Sequence, residues 1–121
     1  MKLSLVSIEK EGFVRVAVEG NLVASEIDAV GNNPMAGLLG ATWFNNRVVL
    51  DMKKCDYLDS SAIGWFMSCQ KSFKQNGGQL VLHSVQPAVQ QIFDLLKIGK
   101  VITITPDEAS ARTLITQGGA K

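Results

Sequence analysis

The stretch from Arg47 to Gly64, RVVLDMKKCDYLDSSAIG, sets a short apolar segment directly before a serine pair and the start of an amphipathic pattern. Arg47 to Met52 is nearly continuous in apolar character, as expected of a central strand covered on both faces. Beyond it, Tyr57-Leu58-Asp59-Ser60-Ser61-Ala62-Ile63-Gly64 places two hydroxyls at the opening of a helix. The first amides of a helix lack intrahelical partners, so Ser or Asp there caps them, and the helix dipole favours a phosphate at the same spot. A serine so placed can serve as a cap, as a phosphorylation switch, or as both. On residue type alone, Asp59-Ser60-Ser61 reads first as a cap.

Working downstream, Ala62, Phe66, Cys69 and Phe73 fall at i, i+4, i+7 and i+11, a stripe that should face a sheet. Gly64, Met67 and Lys71 are then expected on the opposite, outward side, with Gly64 open to close backbone approach and Met67 offering an exposed, adaptable apolar contact. Asn76-Gly77-Gly78 ends the helix with a glycine suited to a left-handed cap. Gln79 to Ser84 reads as another strand. Pro87 suits the first turn of a helix running through Val89, Ile92, Phe93 and Leu96 to Gly99. Val101 to Ile104 is the last strand, and Thr105-Pro106-Asp107-Glu108 has the spacing of a capping box, which predicts Thr105 as the cap of a final helix through Leu114 and Ile115.

Upstream, Leu3 to Ile8 and Phe13 to Val18 alternate around a turn-like Glu9-Lys10-Glu11-Gly12 and read as a hairpin. A helical pattern begins at Ser25, is interrupted by Gly31-Asn32-Asn33-Pro34, and resumes from Met35 to Phe44. The expected fold class is α/β: an N-terminal β-hairpin followed by alternating strands and helices, forming a mixed sheet packed by helices.

The 121 residues suit a single domain, 1–121, and the apolar residues, 46% of the chain, fall in runs too short to span a bilayer. A soluble, unexported, cytoplasmic protein with no membrane span is expected. Lys plus Arg number 12 against 11 acids, with no basic stripe, so nucleic acid is not an expected partner. Cys55 and Cys69 belong to no metal or redox motif and read as reduced, packed thiols. Gly77-Gly78 lacks the Lys-Ser/Thr of a phosphate loop, and no cofactor or metal is expected.

Asp51, Asp56 and Asp59 crowd the C-terminal rim of the central strand, where open α/β sheets place ligands. Isolated acids there more often fix loops through backbone amides. His83, the only histidine, lies at a strand end without a nearby nucleophile in sequence and reads as structural; an enzyme using it with Asp51 or Asp59 would need the groups to share a pocket.

The segment from Arg47 to Ile104 resembles a STAS domain, the fold shared by bacterial anti-sigma factor antagonists and the cytoplasmic part of sulfate-type anion transporters. The residues that carry the resemblance are Val48-Val49-Leu50-Asp51, Leu58-Asp59-Ser60-Ser61-Ala62-Ile63-Gly64, Asn76-Gly77-Gly78-Gln79-Leu80, and Pro87-Ala88-Val89 through Phe93-Asp94-Leu95. The resemblance implies a non-enzymatic antagonist that, when dephosphorylated, captures a serine kinase anti-sigma factor and frees the sigma factor. It places the phosphorylated serine at Ser60, with Ser61 as the alternative, and implies a PP2C-type phosphatase that resets the switch. Where the family commonly has glycine this chain has Ala62, and its Gly-Glu-Leu-Asp pattern is here Gly20-Asn21-Leu22-Val23. The missing acid favours the alternative function, a scaffold or assembly subunit of stressosome-like or lipid-transport type that is not regulated by phosphorylation. The sequence leaves open a homodimer formed through the sheet edge.

Overall fold

The computed structural model describes residues 2–10, 12–23, 34–40 and 42–116. Five strands form one sheet in the order β1-β2-β3-β4-β5: β1 (Lys2–Ile8), β2 (Val14–Glu19), β3 (Arg47–Lys54), β4 (Gln79–His83) and β5 (Thr103–Thr105). β1 and β2 pair antiparallel, with a register shift between Leu5 and Ser7, and the remaining neighbours are parallel. Parallel neighbours need crossovers, which are supplied by α1 (Pro34–Leu39), α2 (Ser60–Gln75) and α3 (Pro87–Leu95); α4 (Glu108–Thr116) closes the described chain. This is the mixed α/β sheet expected, hairpin included. The helical pattern expected from Ser25 up to the interruption at Gly31 lies outside the described residues.

The continuous apolar run of β3 is explained by two unequal layers. Val48, Leu50 and Met52 join Leu80 and Leu82 in a large core under α2 and α3, which contribute Ala62, Phe66, Cys69, Phe73, Val89 and Phe93. Val49 and Val81, pointing the other way, pack with Phe13 against Ala111 and Ile115 of α4. A strand covered on both faces gains from apolar side chains at every position, and successive residues serve opposite layers.

Four local expectations are corrected. The stretch from Met35 to Phe44 is not one helical segment: α1 ends at Leu39, Gly40 takes a φ of +91°, and a 3-10 turn follows at Trp43–Asn45. α3 ends at Leu95 because Lys97 adopts a left-handed conformation, φ 57° and ψ 37°, before a second 3-10 turn at Ile98–Lys100. The amides of Val101 and Ile102 donate to the Ile98 carbonyl, so β5 begins only at Thr103. Thr105 does not cap the last helix. It is still in the sheet and buried, its hydroxyl donating to the Leu82 and Asp107 carbonyls at 3.2 Å. Asp107 takes the cap instead, its Oδ1 accepting the Ser110 amide at 2.8 Å; an extended residue committed to a ladder cannot also turn the chain into a helix.

Candidate functional site

The serine motif is held between two structural elements. The amide of Gly20 donates to the Lys54 carbonyl at 2.9 Å, that of Leu22 to Tyr57 at 2.9 Å, and that of Asp59 to Leu22 at 3.1 Å. Leu22 and Leu58 form a parallel bridge, and both side chains are buried. On the other side, Gln86, the residue before α3, donates its Nε2 to the Lys53 carbonyl at 2.6 Å and to Asp56 Oδ1 at 3.2 Å. The loop from β3 to α2 is therefore pinned by the segment after β2 and by the entrance to α3.

Of Asp59, Ser60 and Ser61, Asp59 takes the cap. Its backbone is extended, φ −110° and ψ −176°, and its Oδ1 accepts the Ala62 amide at 3.1 Å. Such a cap contributes about 1 kcal/mol. Ser60 and Ser61 follow as the first helical residues, and both are exposed. The helix therefore starts without drawing on the Ser60 hydroxyl, which stays accessible to chemistry.

The three carboxylates of this rim act locally, as loop-fixing acids do. Asp51 Oδ1 accepts the Lys53 amide at 2.9 Å while Oδ2 lies 3.5 Å from Lys53 Nζ; Asp56 meets Gln86, and Asp59 caps α2. Cys55 and Cys69 are both buried free thiols, and burial pushes the Cys55 thiol up from its ordinary range.

The stripe Ala62, Phe66, Cys69, Phe73 is buried as expected. Gly64 and Lys71 are exposed, and a Cβ at Gly64 would meet nothing within 4 Å. Met67 departs from expectation: it is half-buried and packs against the core, as does Ile63 one turn earlier. The apolar stripe is wider than the four residues suggested, because Ile63 and Met67 extend it on one flank and the buried Trp65 on the other. The sequence reading also passed over Tyr57, which is 51% exposed three positions before Ser60. An aromatic residue directly after Asp56, in the loop that leads to the serines, was the available signal. Gln86 gave none, since its partners lie about thirty residues away in the chain.

His83 pairs in register with Asp51 across β3 and β4, so these two groups of the enzyme alternative do meet. The imidazole is only 2% exposed, however, and its Nδ1 lies 2.8 Å from the Ser84 hydroxyl, an arrangement that offers no route to a substrate. Burial holds the ring below the usual 6.5 of histidine; Asp51 and Glu108 oppose that shift, and Arg15 and Lys53 reinforce it. A lowered folded-state value means that below 6.5 the unfolded chain takes up a proton the folded one resists, so stability falls with pH in that window. Glu9 and Asp107, both lowered, lose their contributions only below their ordinary 4.5 and 3.8. Between pH 8 and pH 5, denaturant midpoints are expected to decline, and to decline less in His83→Gln; an identical decline in both would assign the pH sensitivity to other groups.

A model of the STAS domain matches residues 5–111. The chain belongs to the STAS domain family. Among its curated relatives, an anti-sigma F factor antagonist of Paenibacillus polymyxa is 30% identical over 67 residues, 55% of this chain and 57% of that protein; the match thus spans little more than half of that relative. An anti-sigma factor antagonist (STAS) domain protein from Planctomyces limnophilus shares the fold of this STAS domain at a TM-score of 0.75 and 17% identity, covering 93% of this chain and 97% of that one. The Bacillus cell fate determinant SpoIIAA, solved in its phosphorylated form, superposes with a TM-score of 0.60 at 16% identity over 93% of this chain and 97% of its own. Among the described residues, no helix of this STAS domain is long and apolar enough to cross a membrane.

Proposed function

We propose that this STAS domain, as a single unit over residues 1–121, is a cytoplasmic anti-sigma factor antagonist that binds rather than catalyses and is switched by phosphorylation of Ser60. The observation that carries the reading is an exposed serine in the first turn of a helix whose cap is supplied by its neighbour Asp59. Dephosphorylated, the protein captures a serine kinase anti-sigma factor and frees the sigma factor; a PP2C-type phosphatase returns it to that state. The name of the Paenibacillus relative and the existence of a phosphorylated form of SpoIIAA support this reading.

The physics of the switch is local. A phosphate adds about −1.5 to −2 charges. At the first turn of α2 it gains about 0.3 to 1 kcal/mol from the helix dipole, so the domain stays folded. A partner closed over Ser60 would have to desolvate that dianion beside Asp59, and an uncompensated buried charge costs several kcal/mol.

Gly64 adds a second argument. A glycine inside an exposed helical face lowers stability by about 0.8 to 1 kcal/mol relative to alanine, and no neighbour here requires its small size. We therefore assign Gly64, with Lys71 and the half-buried Met67 on its flank, to the surface that the partner's backbone approaches. Gly64→Ala is expected to raise stability by about 0.5 to 1 kcal/mol in denaturant unfolding while weakening capture of the kinase. Unchanged capture would remove Gly64 from the interface.

The second reading, a scaffold subunit that is never phosphorylated, is favoured by Val23, which stands half-buried where the family pattern has an acid. Phosphate mapping by mass spectrometry on protein isolated from its native cells separates the two. The switch predicts phosphate on Ser60; protein unmodified under every growth condition supports the scaffold.

A further inference from the structure

At the opposite end of the parallel strands from Ser60, a cavity of about 720 Å³ opens between the end of α2 and the turn before β5. Its size lies within the range of about 300 to 1,000 Å³ usual for small-molecule sites. Arg47, the first residue of β3, Lys74, in the last turn of α2, and Lys100, closing the 3-10 turn, line it together. Among the described residues no Asp or Glu lines it, and none of these cations forms a salt bridge. Glu9, at this end of the sheet, is engaged with Arg112.

Two of the cations have a structural reason to be there, since a basic residue in the last turn complements the helix dipole. Arg47 lies on a strand and has no such reason. Gln70 is also in the lining, and its side-chain Oε1 is buried without a hydrogen-bond partner among the described residues. The cavity thus gathers a guanidinium and two ammonium groups beside apolar Phe73. A planar guanidinium with flanking point charges is the donor set that phosphate oxygens fit.

We infer that this cavity binds a phosphate-bearing ligand, held by Arg47, Lys74 and Lys100, about 20 Å along α2 from the serine switch. The phosphate can belong to a free small molecule or to a lipid headgroup. For the latter, Leu95, Leu96 and Val101, exposed to 80%, 51% and 46% on the same connection, would meet the acyl region.

The test uses inorganic pyrophosphate and, separately, vesicles of phosphatidylglycerol or of phosphatidylcholine. The controls are wild type and the double variant Lys74→Gln/Lys100→Gln, whose side chains are exposed and whose folding is checked by thermal unfolding. Pyrophosphate is expected to shift the amide resonances of Gly77, Gly78 and Gly99, with affinity falling tenfold or more in the double variant. A lipid source would instead show as flotation with phosphatidylglycerol but not phosphatidylcholine vesicles, lost in the same variant. The inference is overturned by no binding to either probe, by binding that the double variant leaves unchanged, or by shifts centred on Ser60 to Gly64.

Discussion

Ser60→Asp is expected to lower capture of the partner kinase tenfold or more, with Ser60→Ala retaining it and thermal unfolding of the two variants remaining close. The direction follows from where the charge lands. Asp59 already satisfies the Ala62 amide, so a second carboxylate at Ser60 has no cap to supply and projects into solvent. In the free protein this costs little, because the helix dipole offsets repulsion from Asp59. Within an interface the carboxylate must shed water against a surface evolved to meet a hydroxyl, and a penalty of only about 1.4 kcal/mol is already tenfold in affinity. Affinity titrations against the cognate kinase measure the effect directly. A Ser60→Asp variant that binds as wild type does would separate this residue from partner choice.

The largest effect on the fold is expected at Gly78. A Cβ built there would lie 2.6 Å from the Asn46 carbonyl oxygen and 2.8 Å from the Phe73 ring, with the Phe44 carbonyl closer still. These are backbone atoms and a ring wedged against Trp43 at 5.2 Å between centroids, so nothing yields cheaply. The Gly78 amide donates to Phe73, and the next amide, Gln79, donates to Asn46, which ties the turn to the start of β3. Gly78→Ala is therefore expected to cost about 3 kcal/mol or more, a large share of the 5 to 15 kcal/mol that holds a typical domain together. Gly77 supplies the contrast: its φ is +78° but the space around it is open, so Gly77→Ala should cost only about 1 kcal/mol. Urea unfolding of the two variants tests the pair, and equal losses would mean that the crowding at Gly78 relaxes.

Elements whose physics is local could be read from the chain. β3 announced its burial by apolar residues at consecutive positions, and α2 announced its inward face by the spacing of Ala62, Phe66, Cys69 and Phe73. The cap at Asp59 lies three residues from the Ala62 amide that donates to it. What could not be read depends on partners distant in sequence. Thr105 carried a sound capping pattern, but pairing of β5 with β4 kept it in the sheet and passed the cap to Asp107. Met67 was placed outward by helical spacing alone, whereas its length lets it fold back onto the core beside Ile63. Gln86 acts on Lys53 and Asp56 only because α3 returns past the C-terminal rim, and Arg47, Lys74 and Lys100 converge only once three strands lie side by side.

The most direct measurement takes one preparation of the protein, phosphorylated on Ser60 by its partner kinase and then treated with a PP2C-type phosphatase, and titrates the kinase with each form. The account predicts weak binding by the phosphoprotein and recovery of tight binding when the phosphate is removed, with the domain folded in both states. Equal affinity before and after removal would contradict it.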